Sequence, residues 1–356
     1  MNDTPNPLPL KTLARRAAVV VGVGTLLTVL VLGAGYAFGV LMMAFAGILF
    51  AVFLRTISDN LNRVTHLGET VCLGLTVLLL LGIVVGFGWY VGPQVAEQAQ
   101  EMRKTLPASV EQLKGEMART ETGRWLLSEL PTAKELNPDG QAVMARISGV
   151  FSTALSAVVG VVVVFFVGLY LAAQPRMYLN GTLRLVPPNR RERGREVLEK
   201  VGTALRRWLM GQVLAMLFVG VLVWLAMLSL GLPFALSLGV IAAVLTFIPN
   251  FGPLLALVPA VLLGLMDGPA TALWVVGLYT GIQVVESYVL TPFIQQSAVS
   301  LPAALTITAQ VVLGVFLGGV GLAVATPLLV VVLVLTRELY VRDFLGDDGA
   351  RGFQLD

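Results

Sequence analysis

Glu286 is an acidic residue inside an otherwise apolar run from Trp274 to Pro292, and Gln283 precedes it by three positions. On a helix the two side chains share a face. In an apolar surrounding a carboxylate is costly unless it meets a cavity or a partner. Such a group can carry a proton or a sodium ion, or accept hydrogen bonds from a polyol. A second set of residues interrupts two long apolar runs. In GLPFALSLGVIAAVLTFIPNFGPLLALVPAVLLGL the breaks are Pro249, Asn250, Gly252 and Pro253. In LPAALTITAQVVLGVFLGGVGLAVATPLLVVVLVL they are Gly318, Gly319 and Pro327, with Gln310 upstream. Breaks of this kind free backbone amides and carbonyls, which can hold a solute or ion without dedicated side chains. Gln212 and Thr246 are further polar residues in apolar runs.

Catalytic and metal chemistry find little support. The chain has one Cys (Cys72) and one His (His66), so an internal disulfide framework and a multi-His or multi-Cys metal site are excluded within one chain. No paired acids, Ser/His set or HExxH arrangement occurs within the apolar runs, and no phosphate-binding glycine loop is present. The expectation is a non-enzyme with no cofactor, no metal and no catalytic residue.

The elements that must position these residues follow from composition. The 356 residues are 56% hydrophobic and 13% charged, where soluble domains carry roughly 25% charged residues. Mean hydropathy is +0.85. The expected fold class is all-α, a polytopic helical membrane protein. Net charge is only +3, which gives no reason to expect a nucleic-acid partner.

Taken in order, residues 1–16 form a tail and residues 17–92 three membrane helices, the first two joined by a tight turn at Gly33-Ala34-Gly35. Basic residues before Ala17 also fit a cleaved leader, but the next apolar segment, Tyr36 to Leu54, follows almost at once. Residues 93–149 are an extracytoplasmic helical insert, with Met102, Leu106, Val110, Leu113 and Met117 at helical spacing. Residues 150–171 form a further span. Residues 172–207 are a basic linker whose amphipathic part, Arg190 to Arg207, is expected to lie on the anionic inner leaflet. Residues 208–336 form the broken-helix core, and residues 337–356 a cytoplasmic tail. Basic residues near the span ends place both termini on the cytoplasmic side.

Length decides how the broken runs are treated. As one helix, residues 301–335 would reach about 52 Å and residues 236–266 about 46 Å, against a hydrocarbon layer of about 30 Å. Each run must tilt, kink or turn back. Full crossing gives about eight spans; turning back gives six spans plus two re-entrant hairpins entering from opposite faces.

These same runs resemble the autoinducer-2 exporter superfamily over nearly the whole chain. The specific marks are FIPxxGP at Phe247 to Pro253, the spacing from Glu286 to Pro292, and GxxGxxxAxPL from Gly318 to Leu328. Ser287 stands where the family commonly has Asn, and Leu301 where a polar residue often precedes the proline. The resemblance implies a multi-pass bacterial inner-membrane transporter that exports a small polar solute, and a homo-oligomer, a pentamer in the family. Members are linked to release of autoinducer-2 and to sodium(lithium)/proton antiport. Site residues are then Glu286, Gln283, Asn250, Pro249, Gly252, Pro253, Pro292, Gln310, Gly318, Gly319 and Pro327. An antiporter would use Glu286; a non-transporting membrane scaffold is the reading from another class.

Overall fold

The computed structural model describes residues 10–117, 159–232, 235–290 and 301–347. Among them the chain is helical and contains no strand. In chain order the helices are α1 (Leu10–Thr65), α2 (Glu69–Met117), α3 (Val159–Ala173), α4 (Pro175–Arg184), α5 (Arg191–Ser229), α6 (Ala235–Thr246), α7 (Phe251–Met266), α8 (Pro269–Val285) and α9 (Ala303–Leu335). Short π-helical turns continue α8 at Glu286–Leu290 and α9 at Thr336–Arg342. Among the described residues, Ala37–Thr65, Glu69–Gln94 and Pro188–Ser229 are long and apolar enough to cross a membrane, and Ala303–Arg342 is as long and apolar but is interrupted at Gly318.

The expected turn at Gly33-Ala34-Gly35 is not formed. α1 runs through it as one helix of 56 residues. A helical glycine costs only about 1 kcal/mol relative to alanine, and no proline in this stretch removes a backbone donor. Residues 17–92 therefore hold two helices rather than three. Counting crossings no longer ties Lys11, Arg15 and Arg16 to the side of Arg55 and Arg63. α2 likewise passes through Pro93 and Pro107 without a break, so the third apolar run and the first part of the insert are one helix of 49 residues. The remainder of the insert lies outside the described residues.

Both broken runs turn back on themselves. In the first, α6 has 12 residues and α7 has 16, so the arms reach only about 18 and 24 Å. Leu238 and Ala242 of α6 share a buried cluster with Ala256, Ala260 and Leu263 of α7. Gly252 lies so close to the Leu245 carbonyl that a Cβ would overlap it.

In the second, the backbone of α9 leaves the helical region at Gly318 (φ 61°, ψ −141°). Gln310 meets Thr326, a Cβ on Gly314 would meet Leu322, and one on Gly321 would overlap the Leu313 carbonyl. These pairs are centred on residue 318 to within one residue. A continuous helix would hold residues eight apart about 12 Å from each other. Residues 303–317 and 319–335 are therefore antiparallel arms.

α5, 39 residues long, shows how the hairpins are opposed. Near its start, Arg193 and Lys200 bond Glu338, just beyond the return arm of the second hairpin. Further along, Leu205, Trp208 and Leu209 pack in one cluster with Val324, Val330 and Val334. Gln212 then reaches Thr246, at the tip of the first hairpin. Near its end, Val223 and Met227 pack with Leu232, Ala235 and Leu238 at the first hairpin's foot. The hairpins thus enter from opposite ends of α5 and meet around the level of Gln212. α5 and α6 approach most tightly at Gly220 and Gly239, where a Cβ would come within 2.7 Å of Ala243 Cβ and 2.6 Å of Trp224 Cβ respectively.

Candidate functional site

The site begins with the local chemistry of Ile248-Pro249-Asn250-Phe251-Gly252. Pro249 cannot donate a backbone hydrogen bond, so α6 does not continue through it. Asn250 takes φ 66°, ψ −49°, and the Phe251 N–H donates to the Pro249 carbonyl at 2.8 Å. That i to i+2 bond about a positive-φ residue is a strained γ-turn. The Gly252 N–H donates to the Ile248 carbonyl at 2.8 Å and opens α7. Pro253 falls in the first turn of α7, where a missing N–H does no harm.

Gln310, fully buried on the outbound arm of the second hairpin, ties this turn to its neighbour. Its Nε2 donates to the Pro249 carbonyl at 2.7 Å and lies 3.4 Å from Thr326 Oγ1. Its Oε1 accepts from Asn250 Nδ2 at 3.3 Å. Gln212 of α5 donates to the Thr246 carbonyl at 2.6 Å, one turn before the tip. The Trp208 and Phe247 rings meet edge to face with centroids 6.0 Å apart. Buried polar groups need such partners, and here they come from three separate stretches of chain. Asn250 itself is exposed and keeps hydrogen-bonding capacity on its outer side.

Glu286 sits at the end of α8, where its Oε2 accepts from Gln283 Nε2 at 2.6 Å. The expected i, i+3 pairing is therefore present. α8 runs antiparallel to α7, and the Tyr279 hydroxyl donates to the Ala256 carbonyl at 3.2 Å. Because the two helices are antiparallel, Glu286 at the end of α8 lies toward the Pro249 end of α7. The π turn from Glu286 continues α8 and packs against α5. The structure thus gathers Pro249, Asn250, Gly252 and Gln310 into one junction and holds Gln283 and Glu286 as a separate locus at the end of α8.

Gly318 and Gly319 form the exposed tip of the second hairpin, and Pro327 is buried next to Thr326 on its return arm. Pro292 lies outside the described residues. Thr326 was not among the site groups expected from sequence. Thr326 adjoins Pro327, but its pairing with Gln310 depends on where α9 reverses.

The junction is made of carboxamides, a hydroxyl and backbone carbonyls. It offers donors and acceptors without net charge. That composition suits recognition of a neutral, hydroxyl-bearing solute in a dry setting, where each matched hydrogen bond discriminates strongly.

Comparison with known proteins agrees with a transport role. The profile described as AI-2E family transporter matches residues 24–340. This chain belongs to the AI-2E transporter family. It is similar to "Putative transport protein YueF" of Bacillus subtilis, with 25% identity over 305 residues, covering 82% of this chain and 81% of that protein. It shares 33% identity over 143 residues with "Putative transport protein YrrI" of the same organism, 40% of each chain. It shares 25% identity over 146 residues with "AI-2 transport protein TqsA" of Escherichia coli K12, 41% of this chain and 42% of that protein. The junction residues and the Glu286 locus both fall within the family match. The chain is a membrane transport protein.

Proposed function

We propose that this protein exports a small, uncharged, polyhydroxylated solute across the bacterial inner membrane through the junction of its two opposed hairpins. The observation that carries the reading is the buried Gln310, bonded at once to the Pro249 carbonyl, Asn250 and Thr326. Hydroxyls of a solute can replace these bonds one for one, so the hairpins can part without leaving polar groups bare. The autoinducer-2 signal, a furanone-derived polyol, has this chemistry, and the name of TqsA supports it as the first solute to test. Glu286, at the end of α8, is the acceptor we place further along the same path.

The test is flux in proteoliposomes of the purified protein, with wild type, Gln310→Leu and Glu286→Gln compared. Movement of a labelled polyol that falls in both variants, independent of sodium or lithium, is the expected result. Sodium- or lithium-dependent proton movement that disappears in Glu286→Gln, with no polyol flux, would replace the proposal with cation/proton antiport. Absence of both fluxes with folded protein would favour the scaffold reading.

A further inference from the structure

The arginines around α4 divide into two groups with different tasks. Arg193 and Lys200 bond Glu338, with Asp343 and Glu196 also on Arg193, and Arg206 bonds Asp59 at 2.7 Å. These cations, which lie in the stretch expected to face lipid, are spent inside the protein. Arg176, Arg184 and Arg190 are instead exposed, with no intraprotein ion pair among the described residues. Among the described residues Arg191 bonds the Val186 carbonyl and Arg195 bonds Asn180, which ties α4 and the turn after it to α5 without an ion pair.

Geometry places this second group. α4 turns 88° from α3 at Gln174, directly after an apolar helix. If α3 lies along the membrane normal, α4 lies in the membrane plane. Leu183 holds it down on α5 at Gly194. Met177, Tyr178 and Leu185 remain 65%, 42% and 86% exposed beside the arginines. Exposed apolar side chains interleaved with cations on an in-plane helix are the pattern of an interfacial segment. An excess of basic residues also marks the face next to the cytoplasmic leaflet, which carries acidic lipid.

We infer that α4 and the start of α5 form a docking surface for acidic phospholipid headgroups, with Arg176, Arg184 and Arg190 as its principal cations. The apolar trio enters the headgroup boundary while the guanidiniums take the phosphates, for which their planar fork is suited. Local acid is sparse: Glu192 is the nearest exposed carboxylate in sequence, and Glu196 is held by Arg193 and Lys200.

The test uses the full-length protein in nanodiscs of equimolar phosphatidylglycerol and phosphatidylethanolamine, with lipid retained on stepwise delipidation measured by mass spectrometry. Wild type should retain phosphatidylglycerol preferentially. Arg176→Gln/Arg184→Gln/Arg190→Gln should lose about tenfold or more of that preference, since each engaged surface cation contributes up to roughly fivefold. Lys200→Gln should keep it. Equal preference in wild type and the triple variant would overturn the inference. Were the triple variant to misfold, the wild type alone decides: a preference that survives about 1 M salt is not electrostatic and also overturns it.

Discussion

Gln310 Nε2 donates to the backbone carbonyl of Pro249, 61 residues away in sequence, at 2.7 Å and so joins the two hairpins. A side chain from one hairpin thus reads the main chain of the other. The Pro249 carbonyl already accepts from the Phe251 N–H, so both its lone pairs are occupied. Relative movement of the hairpins has to break the Gln310 bond first.

Replacing Gln310 by Leu removes the donor to Pro249 and the acceptor for Asn250 together. We expect a stability loss of about 1–3 kcal/mol, the cost of leaving buried polar groups unpaired. Polyol flux should fall by about tenfold or more, the equivalent of 1.4 kcal/mol. Thermal melts and proteoliposome flux measure the two effects separately.

The γ-turn at Asn250 separates backbone from side-chain contributions. Asn250→Gly suits φ 66°, which offsets part of the cost of leaving the Gln310 Oε1 without its donor, so it should melt above Asn250→Ala. Asn250→Ala keeps the strain without the carboxamide and should cost about 1 kcal/mol. Both lose the bond to Gln310, so both should lower flux alike. Equal melting temperatures would show that the turn is not strained.

The reversal at Gly318 is testable by chemistry. Cys72, the chain's one cysteine, is fully buried, and Cys72→Ala clears the background. In that background a Gly314→Cys/Leu322→Cys pair should oxidise to an intramolecular disulfide. A kinked but continuous helix would keep these positions about 12 Å apart, beyond the reach of any disulfide. Failure to oxidise in folded protein would remove the second hairpin.

Glu338 holds three cations: Arg193 and Lys200 at 2.8 Å each and Arg342 at 3.7 Å. Its carboxylate is 7% exposed, whereas Arg193 is 26% and Lys200 34% exposed. Glu338→Gln removes the most buried carboxylate among these cations, leaving Glu196 and Asp343 to offset them in part, and should cost about 1–3 kcal/mol, below the 3–5 of a fully buried pair because the cations reach solvent. Arg193→Gln should cost less, since Lys200 and Arg342 remain. Melting curves at low and high salt should converge for Glu338→Gln if repulsion is the cause.

The breaks were legible because bilayer thickness limits any helix, and Pro249, Gly252 and Gly318 marked where surplus length could turn; that both runs turn back rather than tilt or kink was not, because it depends on which arms pack together. The pairing of Gln283 with Glu286 was legible because helical spacing alone creates it. The bond from Gln310 to Pro249 was not, because it depends on the register between two segments that no local rule connects. The same holds for the basic linker. Arg193 and Lys200 looked available to lipid because their acid, Glu338, lies 145 and 138 residues away in sequence. At Gly33-Ala34-Gly35 the error was local: two glycines were weighted as a turn, although a helix without proline absorbs them. The tight contact of Gly220 with Gly239 gave no signal, since one glycine in an apolar run looks like any other.

The crowding of Gly252 against Leu245 has a consequence for how such a protein can diverge. A tip that admits no side chain at residue 252 cannot be retuned there for a larger, smaller or more polar cargo. On the function proposed above, adaptation to a new solute falls on the side chains that border the tip, at residues 250, 310 and 326. The two reversals would then stay fixed as a frame around three adjustable contacts.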